Sequence, residues 1–66
     1  MIPKVTRDAI FYRMKQHNIT QTQLASELGI SRPTLNGILN GKISIAKHEQ
    51  VILEWYRRTR YGRKSN

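Results

Sequence analysis

The segment from Ser31 to Lys42 carries side chains whose types could recognise the edges of nucleic-acid bases. Arg32 offers two parallel donors that match the O6 and N7 atoms of guanine, which is the commonest base-specific contact. Asn36 can bond to adenine in the same bidentate way, and Thr34 can contact a thymine methyl group or a phosphate. These residue types indicate recognition by hydrogen bonding.

A short helix must hold these side chains on one surface. Leu35, Ile38 and Leu39 predict the buried face of a helix that begins at Ser31 as its N-cap and runs to about Asn40. The outward side and the N-terminal end of this helix then face a partner. The candidate base-reading residues there are Ser31, Arg32, Pro33, Thr34, Asn36 and Gly37.

Another helix, from Thr20 to Leu28, is predicted immediately before the one that begins at Ser31. Thr20 can cap its start while Gln23, three residues on, reaches back to the backbone of Thr20, the reciprocal pattern of a capping box. Leu24 and Leu28 lie four residues apart on its inner face, and Gly29 can take the positive φ of a tight turn. The spacing therefore predicts two helices that are joined by a tight turn and pack through their apolar faces.

Two further helices flank this pair. One precedes the pair and is expected to run from Thr6, as N-cap, to about Gln16. The other follows the pair, and is expected to begin near Ser44 or Ile45 and to continue past Trp55. No segment alternates apolar and polar residues over a useful length, so no strand is expected. The sequence predicts an all-α bundle of four helices, or five, around a central helix-turn-helix.

Length and charge restrict the function further. The chain has 66 residues, with 12 Lys and Arg against four Asp and Glu, for a formal net charge of +8. A chain of this size forms one small core and no deep substrate cleft, which excludes most enzyme architectures. The positive balance indicates a polyanionic partner. We expect one domain over residues 1–60 and a basic tail over residues 61–66.

Metal, cofactor and membrane roles find no support in the sequence. The absence of cysteine removes disulfides, thiolate zinc sites and a cysteine nucleophile. His48 and Glu49 begin as a zinc-protease motif would, but Ile52 occupies the place of its second histidine. No apolar run is longer than four residues, and the run at residues 51–53 is likewise far too short to span a membrane. We expect no catalytic residue, cofactor, metal, membrane contact or small-molecule ligand.

Residues 19–42, ITQTQLASELGISRPTLNGILNGK, resemble the signature of the lambda-repressor-like, or Xre, family of helix-turn-helix DNA-binding domains. This family includes phage repressors and Cro proteins. The resemblance extends over residue 6 to about residue 56 when the outer helices are counted, but it is specific only over residues 19–42. It implies a lambda-repressor-like fold and a double-stranded DNA partner.

The resemblance also implies DNA contacts outside the helix that begins at Ser31, which we call the reading helix. Gln21, at the start of the preceding helix, would contact a phosphate and also a base or the reading helix, so we add it to the base-reading set. Asn40 and Lys42 would contact the DNA backbone, although Asn40 can instead serve only as a helix C-cap. The expected phosphate contacts are Thr20, Gln23, Asn40, Lys42, Arg57, Arg58 and Arg60.

Two positions depart from the family pattern. Family members often place a long polar reader where this chain has Gly37, and a mid-helix glycine costs up to about 1 kcal/mol relative to alanine. We expect either a closer approach of the helix to the groove or fewer direct base contacts. The family's ion pair between the first and third helices is replaced by Met14 and Leu39, for which we expect an apolar contact.

The leading interpretation is a sequence-specific transcription regulator that binds double-stranded DNA in the cytoplasm of a bacterial or phage-infected host cell. We expect a Cro-like repressor from a phage or prophage, acting as a homodimer on an inverted-repeat operator. The last helix either forms the dimer surface or only completes the monomer core. The alternatives are an antitoxin or other protein-interaction module, and an RNA-binding regulator.

Overall fold

Four α-helices follow one another in the computed structural model, which describes residues 1–59. They are α1 (Lys4–Gln16), α2 (Gln21–Leu28), α3 (Arg32–Leu39) and α4 (Ala46–Arg58). No residue within 1–59 belongs to a β-strand, so the predicted all-α fold with four helices is confirmed. The expected basic tail at 61–66, together with Arg60, lies outside the described residues.

One hydrophobic core joins the four helices. Each contributes a side chain with no exposed surface: Ile10 from α1, Leu24 from α2, Leu35 from α3 and Ile52 from α4. Trp55 of α4 is also buried, at 2% exposure, so α4 completes the core of the monomer. The other buried apolar residues are Ile2, Met14, Ala25, Ile30, Ile38 and Leu39.

The predicted starts of α2 and α3 are confirmed. The backbone N–H of Gln23 donates to Thr20 Oγ1 and the N–H of Thr20 donates to Gln23 Oε1, which completes the capping box. Ser31 caps α3 by accepting from the N–H of Thr34. Gly29 ends α2 with φ of 72°, in the left-handed region that favours glycine.

The predicted start of α1 is wrong by three residues, and the start of α4 agrees with Ile45, one of the two expected positions. Thr6 is not an N-cap, because α1 already begins at Lys4 and the carbonyl of Pro3 accepts the N–H of Arg7 at 2.9 Å. The fourth helix begins at Ala46, with Ile45 as its N-cap. The Ser44 hydroxyl instead donates to the carboxylate of Glu49 at 2.9 Å.

A cationic side chain fastens α1 to the end of α4. Arg13 Nη1 donates to the carbonyl of Tyr56 at 2.8 Å and to Thr59 Oγ1 at 3.2 Å, and its guanidinium lies 4.4 Å from the centre of the Tyr56 ring. The contact places positive charge at the negative end of the α4 dipole. Met14 and Leu39, which were expected to make an apolar contact, are both members of the buried core.

Candidate nucleic-acid interface

The turn between α2 and α3 determines how the two helices lie against each other. Ile30, in the turn, is buried, and its N–H donates to the carbonyl of Ala25 at 2.9 Å. Gly29 adds a bond from its own N–H to the carbonyl of Ser26 at 3.3 Å. The turn is therefore anchored to the last turn of α2, and α3 packs directly against α2.

The outward side of α3 lies as the spacing predicted. Its three apolar residues Leu35, Ile38 and Leu39 are at most 1% exposed, so they hold one face of the helix against the core. Arg32, Pro33 and Asn36 are exposed, and Thr34 is half-buried. This end of the molecule therefore presents a guanidinium, an amide and a hydroxyl to a partner.

A direct hydrogen bond links α2 to the outward face of α3. Asn36 Nδ2 donates to Gln21 Oε1 at 3.1 Å, between the first residue of α2 and the middle of α3. Among residues 1–59, Asn36 Oδ1 and Gln21 Nε2 make no further hydrogen bond. The second proton of Asn36 Nδ2 and these two atoms can therefore reach an external partner.

Ser31 and Thr34 use their hydroxyl groups at the start of α3. Ser31 Oγ accepts from the Thr34 N–H at 3.3 Å and donates to Thr34 Oγ1 at 2.7 Å. Ser31 is therefore engaged on both its donor and its acceptor side inside the protein. Thr34 retains its own hydroxyl proton as a donor.

Gly37 is covered by a side chain from the loop after α3. The N–H groups of Lys42 and Ile43 both donate to the carbonyl of Gly37, at 2.8 and 3.3 Å, so the chain folds back over the helix. A Cβ atom at position 37 would lie 2.8 Å from both Cγ1 and Cδ1 of Ile43. Close packing with Ile43 explains the mid-helix glycine, and reasoning from the sequence missed it.

The exit from α3 carries one cation, Lys42, and lies against a second from α1. Asn40 Nδ2 donates to the carbonyl of Asn36 at 2.8 Å, so Asn40 does act as a helix C-cap. Gly41 follows with φ of 74°, and a Cβ there would collide with the guanidinium of Arg7 from α1. Lys42 is exposed beside it. Arg7 was not predicted at this surface, because it lies 34 positions before Gly41 in the sequence.

Thr20 and Gln23 lie exposed at the same end of α2 as Gln21. Their capping box consumes Thr20 Oγ1 and Gln23 Oε1 as acceptors, at 3.1 and 2.9 Å. The amide nitrogen of Gln23 remains on the surface as a donor. The start of α2 therefore combines backbone N–H groups with side-chain donors, which suits an anionic group.

The predicted cations of α4 lie elsewhere. Arg57 and Arg58 are exposed in the last turn of α4, and Arg58 Nη2 lies 3.7 Å from Glu27 Oε2. Glu27 is in the last turn of α2, at the opposite end from Gln21, so Arg58 is not brought to the Gln21–Asn36 face. Arg60 lies outside the described residues.

The charge around α3 has one sign. The chain has no carboxylate between Glu27 and Glu49, and Glu49 is only 7% exposed. The exposed residues Arg32, Lys42 and Lys47 fall within this interval. The surface that carries the Asn36 and Gln21 amides is therefore cationic, as contact with a polyanion requires.

Comparison with known families agrees with this geometry. A family model described as helix-turn-helix matches residues 10–49, from the middle of α1 to the first turn of α4, which is more than half of the chain. No curated protein and no solved structure gave a significant match. Within residues 1–59 no helix is long and apolar enough to cross a membrane. The chain therefore belongs to the lambda-repressor-like helix-turn-helix family, and it is a DNA-binding regulatory protein of that family.

Proposed function

We propose that this protein regulates transcription by sequence-specific binding of double-stranded DNA, with α3 in the major groove. The observation that carries the proposal is the hydrogen bond between Asn36 and Gln21. It joins the exposed face of one helix to the N-terminus of the other, so a base-reading surface and a phosphate-binding helix end form one unit. Such a unit contacts bases and backbone in a fixed register.

Arg32 and Asn36 are the principal base readers in this proposal. Arg32 is the first residue of α3 and is exposed, which suits bidentate donation to guanine O6 and N7. Asn36 can accept from adenine N6 through Oδ1 and donate to N7 through its second amide proton. Gln21 orients that amide beforehand, so less side-chain entropy is lost on binding. Pro33 and Thr34 supply apolar contact and one hydroxyl donor.

Backbone contacts are proposed on both sides of α3. The first-turn N–H groups of α2, with Gln21 and the Gln23 amide, face one phosphate. Lys42, the second amide proton of Asn40 and the guanidinium of Arg7 face another, beyond the C-terminus of α3. Ser31 and Thr20 act chiefly as helix caps that position these groups, and Gly37 is left out of the base-reading set because Ile43 covers it.

We further propose a Cro-like mode of action, in which a homodimer occupies an inverted-repeat operator of a phage or prophage and blocks transcription. Two α3 helices related by a two-fold axis would enter half-sites about 10 base pairs apart. A shallow groove on the outer side of α4 supports a dimer contact there, and among the described residues its lining is Gln50, Val51, Leu53, Glu54 and Arg57. Sedimentation with the selected duplex tests the stoichiometry, and one chain per duplex would contradict the dimer.

Selection from a pool of random duplexes, run beside an RNA pool of matched length at physiological salt, tests the central proposal. Enrichment of a duplex motif supports it, and a symmetric motif also supports the dimer. Enrichment only of RNA would establish the RNA-binding alternative. Failure of both pools would overturn nucleic-acid recognition and favour a protein-interaction module such as an antitoxin.

The division between base and backbone contacts is tested by a matched pair of variants. Arg32→Ala should weaken binding to the selected duplex by about 1 to 3 kcal/mol and relax the preference at one base pair per half-site. Lys42→Ala, which removes a cation from the same surface, should weaken binding to all sequences alike. Equal losses for both variants on selected and random duplexes would contradict this division.

The basic tail is proposed as a further backbone contact. Removal of residues 61–66 should lower the slope of log K against log salt by about 0.9 for each phosphate contact that is lost. Arg57 and Arg58 stay in the shortened chain, so the change reports on the tail alone. An unchanged slope would mean that the tail cations are solvated in the complex.

A further inference from the structure

We propose that Ile43, which lies in the loop after α3, is a specificity-determining residue that contacts the C5 methyl group of a thymine in the major groove. The inference rests on the proposed function and deepens it. It assigns to a loop residue the contact that Gly37, without a side chain, cannot make from the helix. Its basis is the position of the Ile43 side chain on the outward face of α3.

Gly37 lies on the side of α3 that faces away from the core. At about 100° per residue, its Cα direction is about 150° from the mean direction of Leu35, Ile38 and Leu39. Pro33, which is exposed, is only about 40° from Gly37 on the same helical projection. Any side chain that packs on Gly37 therefore lies on the surface that α3 presents to the major groove.

Ile43 packs on Gly37 in this way. Its Cγ1 and Cδ1 atoms are each 2.8 Å from the point that a Cβ at position 37 would occupy. The bond from the Ile43 N–H to the Gly37 carbonyl, at 3.3 Å, holds the backbone of the loop in place beside the helix. The side chain is therefore positioned by α3 itself, as a residue of the helix would be.

The remaining surface of Ile43 is apolar and accessible. The residue is 39% exposed, although it is β-branched and packed on one side. In the major groove the C5 methyl of thymine is the apolar feature that a base pair presents, and apolar side chains recognise it by contact. A stiff, half-covered isoleucine on the outward face of α3 matches that feature.

Ile45 provides a matched comparison within the same loop. It is 37% exposed, almost the same as Ile43, but it is the N-cap residue of α4, where its carbonyl accepts the N–H of Glu49 at 2.9 Å. Ile43 differs in lying against the outward face of α3. If Ile43 recognises a thymine methyl group, the same substitution at Ile45 should therefore leave that recognition unchanged.

The test uses the duplex that the wild-type chain selects. Each thymine is replaced in turn by deoxyuridine, which lacks only the C5 methyl, and the Kd is measured for the wild type, Ile43→Ala and Ile45→Ala. The wild type should lose about fourfold in affinity at one thymine per half-site, the effect of one buried methyl group. Ile43→Ala should show no loss at that thymine, and Ile45→Ala should behave as the wild type does.

Several results would overturn the inference while leaving the proposed function in place. They are a flat deoxyuridine scan of the wild type, and equal losses at every thymine for the wild type and Ile43→Ala. Circular dichroism verifies folding, and if Ile43→Ala does not fold, Ile43→Val replaces it. That variant should show a smaller loss than the wild type at the same thymine, and an equal loss would refute the contact. Failure to select any duplex motif would instead overturn the proposed function.

Discussion

The inner and outer helix pairs of this domain are stabilised in different ways. Helices α2 and α3 have eight residues each, begin at Thr20 and Ser31 with side-chain caps, and end within two residues of Gly29 and Gly41, both with positive φ. Helices α1 and α4 have thirteen residues each and make no side-chain cap bond at their starts. Local interactions define the inner pair, and packing defines the outer pair.

Helix physics accounts for this difference. A helix of two turns forms few internal hydrogen bonds against a costly nucleus, so each capped N–H has a large relative effect on it. The longer outer helices depend on contacts with distant parts of the chain, such as the bonds of Arg13 to the carbonyl of Tyr56 and to Thr59. The pair that carries the candidate interface thus encodes its own boundaries, and the outer pair holds it in a stable core.

The largest effect should come from removing the indole that α4 places in the core. Trp55→Ala should destabilise the fold by about 3 to 5 kcal/mol, comparable to the whole stability of a domain this small. Thermal denaturation followed by circular dichroism should show loss of all four helices together. Ile45→Ala, at an exposed position, should change stability by less than about 0.5 kcal/mol. Persistence of α2 and α3 after α4 has melted would break the view that the inner pair depends on the outer one for packing.

A smaller effect is expected from the contact between the outer helices. Arg13→Met keeps an apolar stem of similar length but removes the charged donor to Tyr56 and Thr59, and should cost about 1.5 to 3 kcal/mol in urea denaturation. Lys15→Met removes an exposed cation from the same helical turn and serves as the control. Equal losses in the two variants would show that net charge, rather than the Arg13 contact, holds α4.

The smallest effects concern the caps. Thr20→Ala and Ser31→Ala should each lower the free energy of unfolding by about 1 kcal/mol, because each leaves a first-turn N–H without its side-chain acceptor. Thr6→Ala should change it by no more than about 0.5 kcal/mol, since Thr6 lies inside α1 and caps nothing. Urea denaturation of the three variants sharpens the comparison, and a cost for Thr6→Ala equal to that for Thr20→Ala would contradict it.

Much of the inner pair could be predicted from sequence. The capping box of Thr20 and Gln23, the cap at Ser31 and the exit at Gly29 all depend on bonds between residues at most four apart, and all were predicted correctly. The exposure of Arg32 and Asn36 followed from helical periodicity. The start of α1 was misplaced because Thr6 resembles a cap, whereas the structure uses Pro3, and the start of α4 falls at Ile45, one of the two positions predicted for it.

The candidate site was only partly predictable. The resemblance to a family implied that Gln21 contacts either a base or the reading helix, and the structure supplies the contact with Asn36. The packing of Ile43 on Gly37 and of Arg7 on Gly41 could not be predicted from the spacing of residue types in the sequence. In each of these two pairs a glycine accommodates a side chain from another segment of the chain, and glycine alone does not indicate which side chain that is.

The sequence by itself determined the helix-turn-helix, its caps and turn, the face that α3 presents and the excess of positive charge, because these depend on neighbouring residues and on composition. Only the tertiary structure decided that Arg13 holds α4, that Arg7 lies against Gly41 at the exit from α3, and that Ile43 occupies the outward face at Gly37. The contacts of Arg13 and Arg7 join segments that meet only when the core closes, and the Ile43 contact forms where the loop after α3 folds back on the helix. Their partners are therefore selected by packing rather than by position along the chain.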